Sequence, residues 1–120
     1  MSRRVKPVAS PERVHAPIFA ALGDQTRLLL VGKLARGPSC SISELTEGFK
    51  LTRQAVTKHL HVLESAGLVQ SARQGREIRF EFAPKRIDEA KTYLESVSQQ
   101  WGDALDRLKA FVEAEAEAGR

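Results

Sequence analysis

The chain has one cysteine, one tryptophan, one tyrosine and one methionine in 120 residues. A single thiol excludes an internal disulfide and fits a reducing cytoplasm, which is the expected location. No apolar run approaches the roughly 18 residues of a membrane-spanning helix, so no membrane partner is expected. The N-terminus carries Arg3, Arg4 and Lys6 but lacks the apolar stretch of a secretory signal. Groupings that do chemistry are scarce as well. His15, Tyr93 and the scattered carboxylates form no nucleophile–base pattern, phosphate loop or metal-ligand spacing, so neither an enzyme nor a cofactor is expected. Acidic residues are few where basic ones are many. Residues 1–86 hold 15 Lys and Arg against 7 Asp and Glu, whereas residues 87–120 hold 4 against 8. That asymmetry is the footprint of a polyanion-binding face with a separate assembly element. A chain of this length builds one domain with one modest core.

What is present centres on residues 52–69. Val56, Leu60 and Leu63 recur at helical spacing and form one buried stripe, while Arg53, Gln54, Thr57, Lys58 and His61 point the other way. Thr52 suits an N-cap and Gly67 a C-terminal stop. Arg and Gln make bidentate contacts to base edges in a major groove, and Lys suits a phosphate. Taken alone, such a helix also fits an ordinary solvated face. Its neighbours decide. Ser41-Ile42-Ser43-Glu44 has capping-box form, with Glu44 reaching back, and Ile42, Leu45 and Phe49 give that helix an apolar side. Residues 48–51 then make a tight turn, completing a helix-turn-helix.

Downstream, residues 69–73 and 77–82 read as two strands, with Ile78, Phe80 and Phe82 alternating and Gln74-Gly75 between them. Arg73, Arg76 and Arg79 decorate this hairpin, which makes it a wing of residues 69–82 that meets phosphates or a minor groove.

These motifs together resemble the ArsR/SmtB family of bacterial winged helix-turn-helix regulators. The similarity runs through residues 20–28 (AALGDQTRL), Ser43-Glu44-Leu45, residues 52–60 (TRQAVTKHL), residues 63–69 (LESAGLV) and Arg73-Gln74-Gly75-Arg76. The fold it implies is mainly α with a small β-hairpin and a long C-terminal dimerisation helix. The function it implies is sequence-specific binding of double-stranded DNA, as a homodimeric repressor on a palindromic operator. Base readers are then Arg53, Gln54, Thr57 and His61. Lys58, Thr52, Ser41 and the wing residues Arg73, Gln74, Arg76 and Arg79 hold phosphates. The competing reading is a winged-helix protein-interaction module without specific DNA binding, which salt dependence separates from a DNA reader.

The organisation around this core is helical. Residues 1–13 form a basic arm, disordered or touching DNA, and residues 14–86 the winged core. A first helix covers 16–22, and a second, capped by Asp24, covers 25–35 and feeds Leu28, Leu29, Val31 and Leu34 to the core. A long helix spans 87–114, followed by a frayed tail at 115–120. Its apolar positions Ile87, Ala90, Leu94, Val97, Trp101, Leu105, Leu108 and Phe111 step by threes and fours, close to a coiled-coil seam. A small core cannot cover such a stripe, so a second copy is expected to pack there, through Ile18, Phe19, Leu94, Val97, Trp101, Leu105 and Leu108. Folding of the helix back on its own domain is the alternative.

Many members of the family bind metal through a Cys-x-Cys at the start of the first helix of the helix-turn-helix. Serines stand at those positions here, Ser41 and Ser43, and hydroxyls are poor substitutes for thiolates. Others place His and acidic ligands on the last helix, but the histidines here are His15, His59 and His61. No metal is expected, and Asp88, Glu89, Asp103 and Asp106 read as a solvated face. Cys40 reads as inert rather than redox-active. His59, beside Leu60, reads as a structural histidine beneath the wing or as a DNA contact. The sequence names no small-molecule effector, operator or regulated gene.

Overall fold

The computed structural model describes residues 10–119. Among these the elements run α1 (Pro11–Leu22), α2 (Gln25–Arg36), β1 (Cys40–Ser41), α3 (Ile42–Phe49), α4 (Arg53–Ser65), β2 (Val69–Gln74), β3 (Glu77–Phe82) and α5 (Pro84–Ala118). This is the mainly helical winged helix-turn-helix with a long last helix. The expected basic arm lies outside the described residues as far as residue 9. Its end is helical: Ser10 Oγ accepts from Arg13 N at 3.3 Å, and Pro11 follows the cap as a first-turn proline. The first helix therefore begins five residues before the expected start at 16.

The helices are set by their caps. Asp24 caps α2 by accepting from Arg27 N at 3.0 Å. Ser41 caps α3 through Glu44 N at 3.1 Å, and Thr52 caps α4 through Ala55 N at 3.1 Å. α3 runs through Gly48 and Phe49, so the turn of the helix-turn-helix is Lys50-Leu51-Thr52 rather than 48–51. Lys50 ends α3 in the left-handed region at φ 52°, the one non-glycine there among the described residues. Helix α4 stops as expected. Gly67 takes φ 77°, its N–H reaches Glu64 O at 2.9 Å, and Leu68 N reaches Leu63 O at 2.9 Å. Those two bonds are the Schellman pattern, and the positive φ favours glycine.

The wing gains a third strand. β1 pairs antiparallel with β3, placing Cys40 opposite Phe80 and Ser41 opposite Arg79, in a sheet ordered β1-β3-β2. β1 was not expected, because two residues carry no readable period. The β2–β3 turn is Gly75-Arg76, with a positive φ at Gly75 alone, as in a type II′ hairpin. Only the base of the hairpin joins the core. Val69 and Phe80 are buried, whereas Ile78, expected on the buried face, is exposed because the ribbon has left the body by that point.

The core gathers Ile18, Leu30, Leu34, Leu45, Val56, Leu60, Leu63, Leu68 and Phe80. The α4 stripe Val56, Leu60 and Leu63 is fully buried, as its spacing requires. In α2 the buried line is Leu30, Val31 and Leu34, with Arg27 one turn earlier. Leu28 and Leu29, expected in the core, lie off that line and are about half exposed.

α5 starts at Pro84 and stays helical to Ala118, past both expected limits, through strong helix formers such as the Ala and Glu of residues 113–118. At roughly 1.5 Å per residue it is about 52 Å long. It meets α1 early, burying Ala90 and part of Ile87, and then leaves the body. The radius of gyration, 21.3 Å, well exceeds the ~14 Å of a compact chain of this length.

Candidate nucleic-acid interface

The N-cap at Thr52 fixes the direction of α4, and the buried stripe fixes its roll. Arg53, Gln54, Thr57, Lys58 and His61 are left together on the outward face, lining a shallow depression of about 640 Å³. Arg53 is steadied across the turn, its Nη1 donating to Ser43 Oγ at 3.1 Å. Thr57 Oγ1 donates to Arg53 O at 2.8 Å, which uses its one donor and leaves its oxygen as an acceptor. Gln54, Lys58 and His61 carry no side-chain hydrogen bond among the described residues. With Arg53, which commits only Nη1 to Ser43, they are the groups of this face with unused donors.

Two expected phosphate holders accept cap bonds, and only Ser41 of the two is buried. Ser41 is buried and its oxygen caps α3, and the Thr52 oxygen caps α4. Thr52 is exposed and its cap leaves the hydroxyl proton free, and the helix N-termini that the two residues organise have N–H groups and dipoles that favour anions. On the wing, Arg73 and Arg76 flank the tip, exposed and without an ion pair among the described residues, with Gln74 beside them. A cleft of about 200 Å³ between α3, α4 and the wing is lined by Ser43, Arg53, Arg76 and Glu77. It joins the recognition face to the wing tip.

Arg79 is placed otherwise. Its side chain is 18 % exposed and every guanidinium nitrogen is bonded. Nε donates to Ser39 Oγ at 3.0 Å and Nη2 to Ser39 O at 2.6 Å. Nη1 donates to Glu44 Oε1 at 2.9 Å and Glu77 Oε2 at 3.1 Å, and Nη2 to Glu44 Oε2 at 3.4 Å. Hydrogen bonds donated first to Glu44 and then to Glu77 hold the guanidinium above its ordinary pKa. The capping box expected at Ser41–Glu44 is thus half formed, with the Glu44 carboxylate turned to Arg79. Ser39 carried no signal in the sequence, because its partner lies 40 residues away, whereas Glu77 stands two residues before Arg79 on the same strand, a same-face spacing that could have shown it.

His59 lies not beneath the wing but beside the start of α2, with Nδ1 3.9 Å from Asp24 Oδ2. The Asp24 carboxyl is held below its ordinary pKa, chiefly by the Arg27 backbone N–H and further by the Arg27 and His59 charges. Among the described residues no three His, Cys, Asp or Glu side chains gather as a metal site. Cys40 is buried in β1, its Sγ 3.6 Å from Pro38 O.

On the far side of the molecule, Ile18, Phe19, Leu22, Ile87, Ala90 and Leu94 line an apolar groove of about 550 Å³ between α1 and α5. Ile18 is already buried in its own chain and forms the floor, Phe19 and Val97 are half-buried, and Leu94, Trp101, Leu105 and Leu108 are exposed. The groove and the exposed α5 stripe are continuous through Leu94.

Comparison with known proteins agrees with this geometry. The profile of the bacterial regulatory proteins of the arsR family matches residues 24–71. An uncharacterized HTH-type transcriptional regulator of Bacillus subtilis, YuzN, is 46 % identical over 65 residues, covering 49 % of this chain and 71 % of its own. The HTH-type transcriptional regulator Rv2034 of Mycobacterium tuberculosis is 31 % identical over 90 % of this chain and 94 % of its own. Among solved structures, an ArsR-like transcriptional regulator from Rhodococcus sp. RHA1 superposes with a TM-score of 0.73 at 35 % identity. That match covers 82 % of this chain and 92 % of that one.

Proposed function

The chain belongs to the arsR family of bacterial regulatory proteins, DNA-binding winged helix-turn-helix regulators of transcription, and on that premise we propose that it acts as a homodimeric repressor on a palindromic operator. The observation that carries this reading is the pairing of two surfaces. One is the donor-rich face of α4 with the two free wing arginines, and the other is the uncovered apolar line of α5 on the opposite side.

Residues 14–86 are the reading unit and 87–114 the dimerisation helix. A twofold axis along α5 and α1 sets two α4 helices in successive major grooves, one helical turn apart. Arg53, Gln54, Thr57 and His61 read base edges. Lys58, Arg73, Gln74, Arg76 and the N-termini at Ser41 and Thr52 hold the backbone and set register. A dimer seated over a promoter excludes polymerase, so repression is the outcome. The location that goes with this role is cytoplasmic. An effector that releases DNA belongs to no residue set identified in this chain.

The test is fluorescence anisotropy of the purified protein on its own upstream DNA and on a scrambled duplex, titrated with salt. Selective, salt-sensitive binding at two chains per site is expected. Arg53→Ala and Gln54→Ala change the preferred sequence, each removing a bidentate base contact that supplies about 1–3 kcal/mol of discrimination. Lys58→Ala weakens all sequences alike and flattens the salt slope. Three variants with the same binding profile would rule out this assignment of base readers. Equal, salt-insensitive binding to both duplexes, with a protein partner retained, would favour an interaction module instead.

A further inference from the structure

We propose that Arg79 is the positioning residue of the wing, a brace that fixes the hairpin against α3 and so places Arg73 and Arg76, without itself contacting DNA. The proposal rests on the wing being part of the DNA interface.

Composition alone counts Arg79 with the DNA-binding arginines, but three observations separate it from them. Its donors are all engaged, and its partners come from three segments: Ser39 ahead of β1, Glu44 on α3 and Glu77 on β3 beside the turn. Releasing it toward a phosphate breaks its ion pairs with both carboxylates and leaves Glu44 and Glu77 next to that phosphate. With both carboxylates ionised, the trio carries a net charge of −1, which repels the DNA backbone rather than attracting it.

The third observation is mechanical. Beyond Phe80 the ribbon has no buried side chain, and a lone two-stranded hairpin is marginal in water. Arg79 sits next to that last buried residue, opposite Ser41 in the β1–β3 register. Its guanidinium therefore bonds the ribbon to the body where apolar packing ends. Without it the wing tip pivots about Phe80, and Arg73 and Arg76 no longer keep a fixed distance from the α4 face.

The test compares wild type, Arg79→Gln, Glu44→Gln, the double variant and Arg79→Lys. Glu44 is half exposed, so its neutral isostere leaves the fold intact and isolates the bracing interaction. Amide ¹⁵N relaxation of residues 73–77 in the free protein reads the order of the tip. Salt-titrated anisotropy, on a duplex selected from a random library with wild type, reads the DNA contact. Arg79→Gln and Glu44→Gln are both expected to loosen the tip amides and to weaken binding by about tenfold, the scale of one charge-assisted hydrogen bond. The double variant is no weaker than Arg79→Gln, and the salt slope stays at the wild-type value because every phosphate contact is kept. Arg79→Lys does not rescue, since one ammonium cannot span Ser39 and both carboxylates.

A salt slope smaller by about one phosphate in Arg79→Gln, with Glu44→Gln binding as wild type, overturns the brace in favour of a phosphate contact. Tip amides as ordered in Arg79→Gln as in wild type overturn it too. If wild type selects no duplex, the DNA-reading assignment fails, and the tip amides alone decide for or against the brace.

Discussion

Truncating Leu105 tests the proposed dimer at a position where the monomer has nothing to lose. Leu105 is 65 % exposed on α5, in the part of the helix that has left the body. Full burial of a leucine contributes about 1.5–3 kcal/mol, so covering the exposed share and then removing all but Cβ costs about 1–1.5 kcal/mol. A twofold dimer carries the change twice, about 2–3 kcal/mol in all, or a roughly 30- to 160-fold weaker dimer. Sedimentation equilibrium of wild type and Leu105→Ala over a wide concentration range reads that ratio directly. Leu28→Ala, at a similarly exposed apolar position on α2, serves as the control and should leave association unchanged. A dimer constant within about threefold of wild type would refute the placement of the seam on this stripe. A wild type that stays monomeric at tens of micromolar would refute the dimer.

Two smaller predictions concern the joints of the fold. Lys50 holds a left-handed conformation that costs a side-chain-bearing residue about 1–2 kcal/mol, against about 0.5–1 kcal/mol of extra chain entropy for glycine. Lys50→Gly should therefore stabilise the domain by about 0.5–1 kcal/mol in thermal denaturation, whereas Lys50→Ala, which keeps the strain and removes the same charge, should give no gain; equal melting temperatures for the two would count against strain at this turn. Asp24 has its pKa lowered by folding, so its charge supports the native state above about pH 4 and that support is lost as pH falls through the folded value. Asp24→Asn keeps a good cap and removes the charge, so the melting-temperature gap between wild type and variant should be open at about pH 6 and narrow steadily as pH falls below about 4; a gap independent of pH would assign the effect to shape instead.

The legible part of this chain was its periodic part. The α4 stripe, the caps at Asp24, Ser41 and Thr52, and the stop at Gly67 are local signals, and local hydrogen bonding enforces them. The long stripe of α5 was equally plain. The start of α1 was written in Ser10-Pro11-Glu12 as a cap, a first-turn proline and an acidic first turn, but Pro17 reads as a first-turn proline too, and only tertiary packing on α5 places it inside the helix. Leu28 and Leu29 misled because three consecutive leucines can supply an apolar line at more than one roll angle. The line that won contains Leu30, and it also brings Arg27 inward to the α1 carbonyls. β1 and the Arg79 network beyond Glu77 were not legible. Their partners are some 40 residues apart, and no spacing rule connects an arginine on a ribbon to a serine carbonyl before a two-residue strand.

Counting basic residues thus overstates a DNA face, because it cannot tell an available donor from an engaged one. It also hides how the two surfaces are joined. Arg27 Nε donates to Ala21 O at 2.6 Å and Nη2 to Ala20 O at 3.3 Å, tying the last turn of α1 to the first turn of α2. Asp24 caps that same turn and faces His59 on the inward side of α4. From the α1–α5 groove toward the recognition helix, the hydrogen bonds of Arg27 and Asp24 tie α1 to α2, and Asp24 then approaches His59 of α4 at 3.9 Å without a hydrogen bond. In the proposed dimer α1 belongs to the seam, so the distance between the two α4 helices follows the packing of α1 on α5. The wing, braced separately by Arg79, stands outside those contacts.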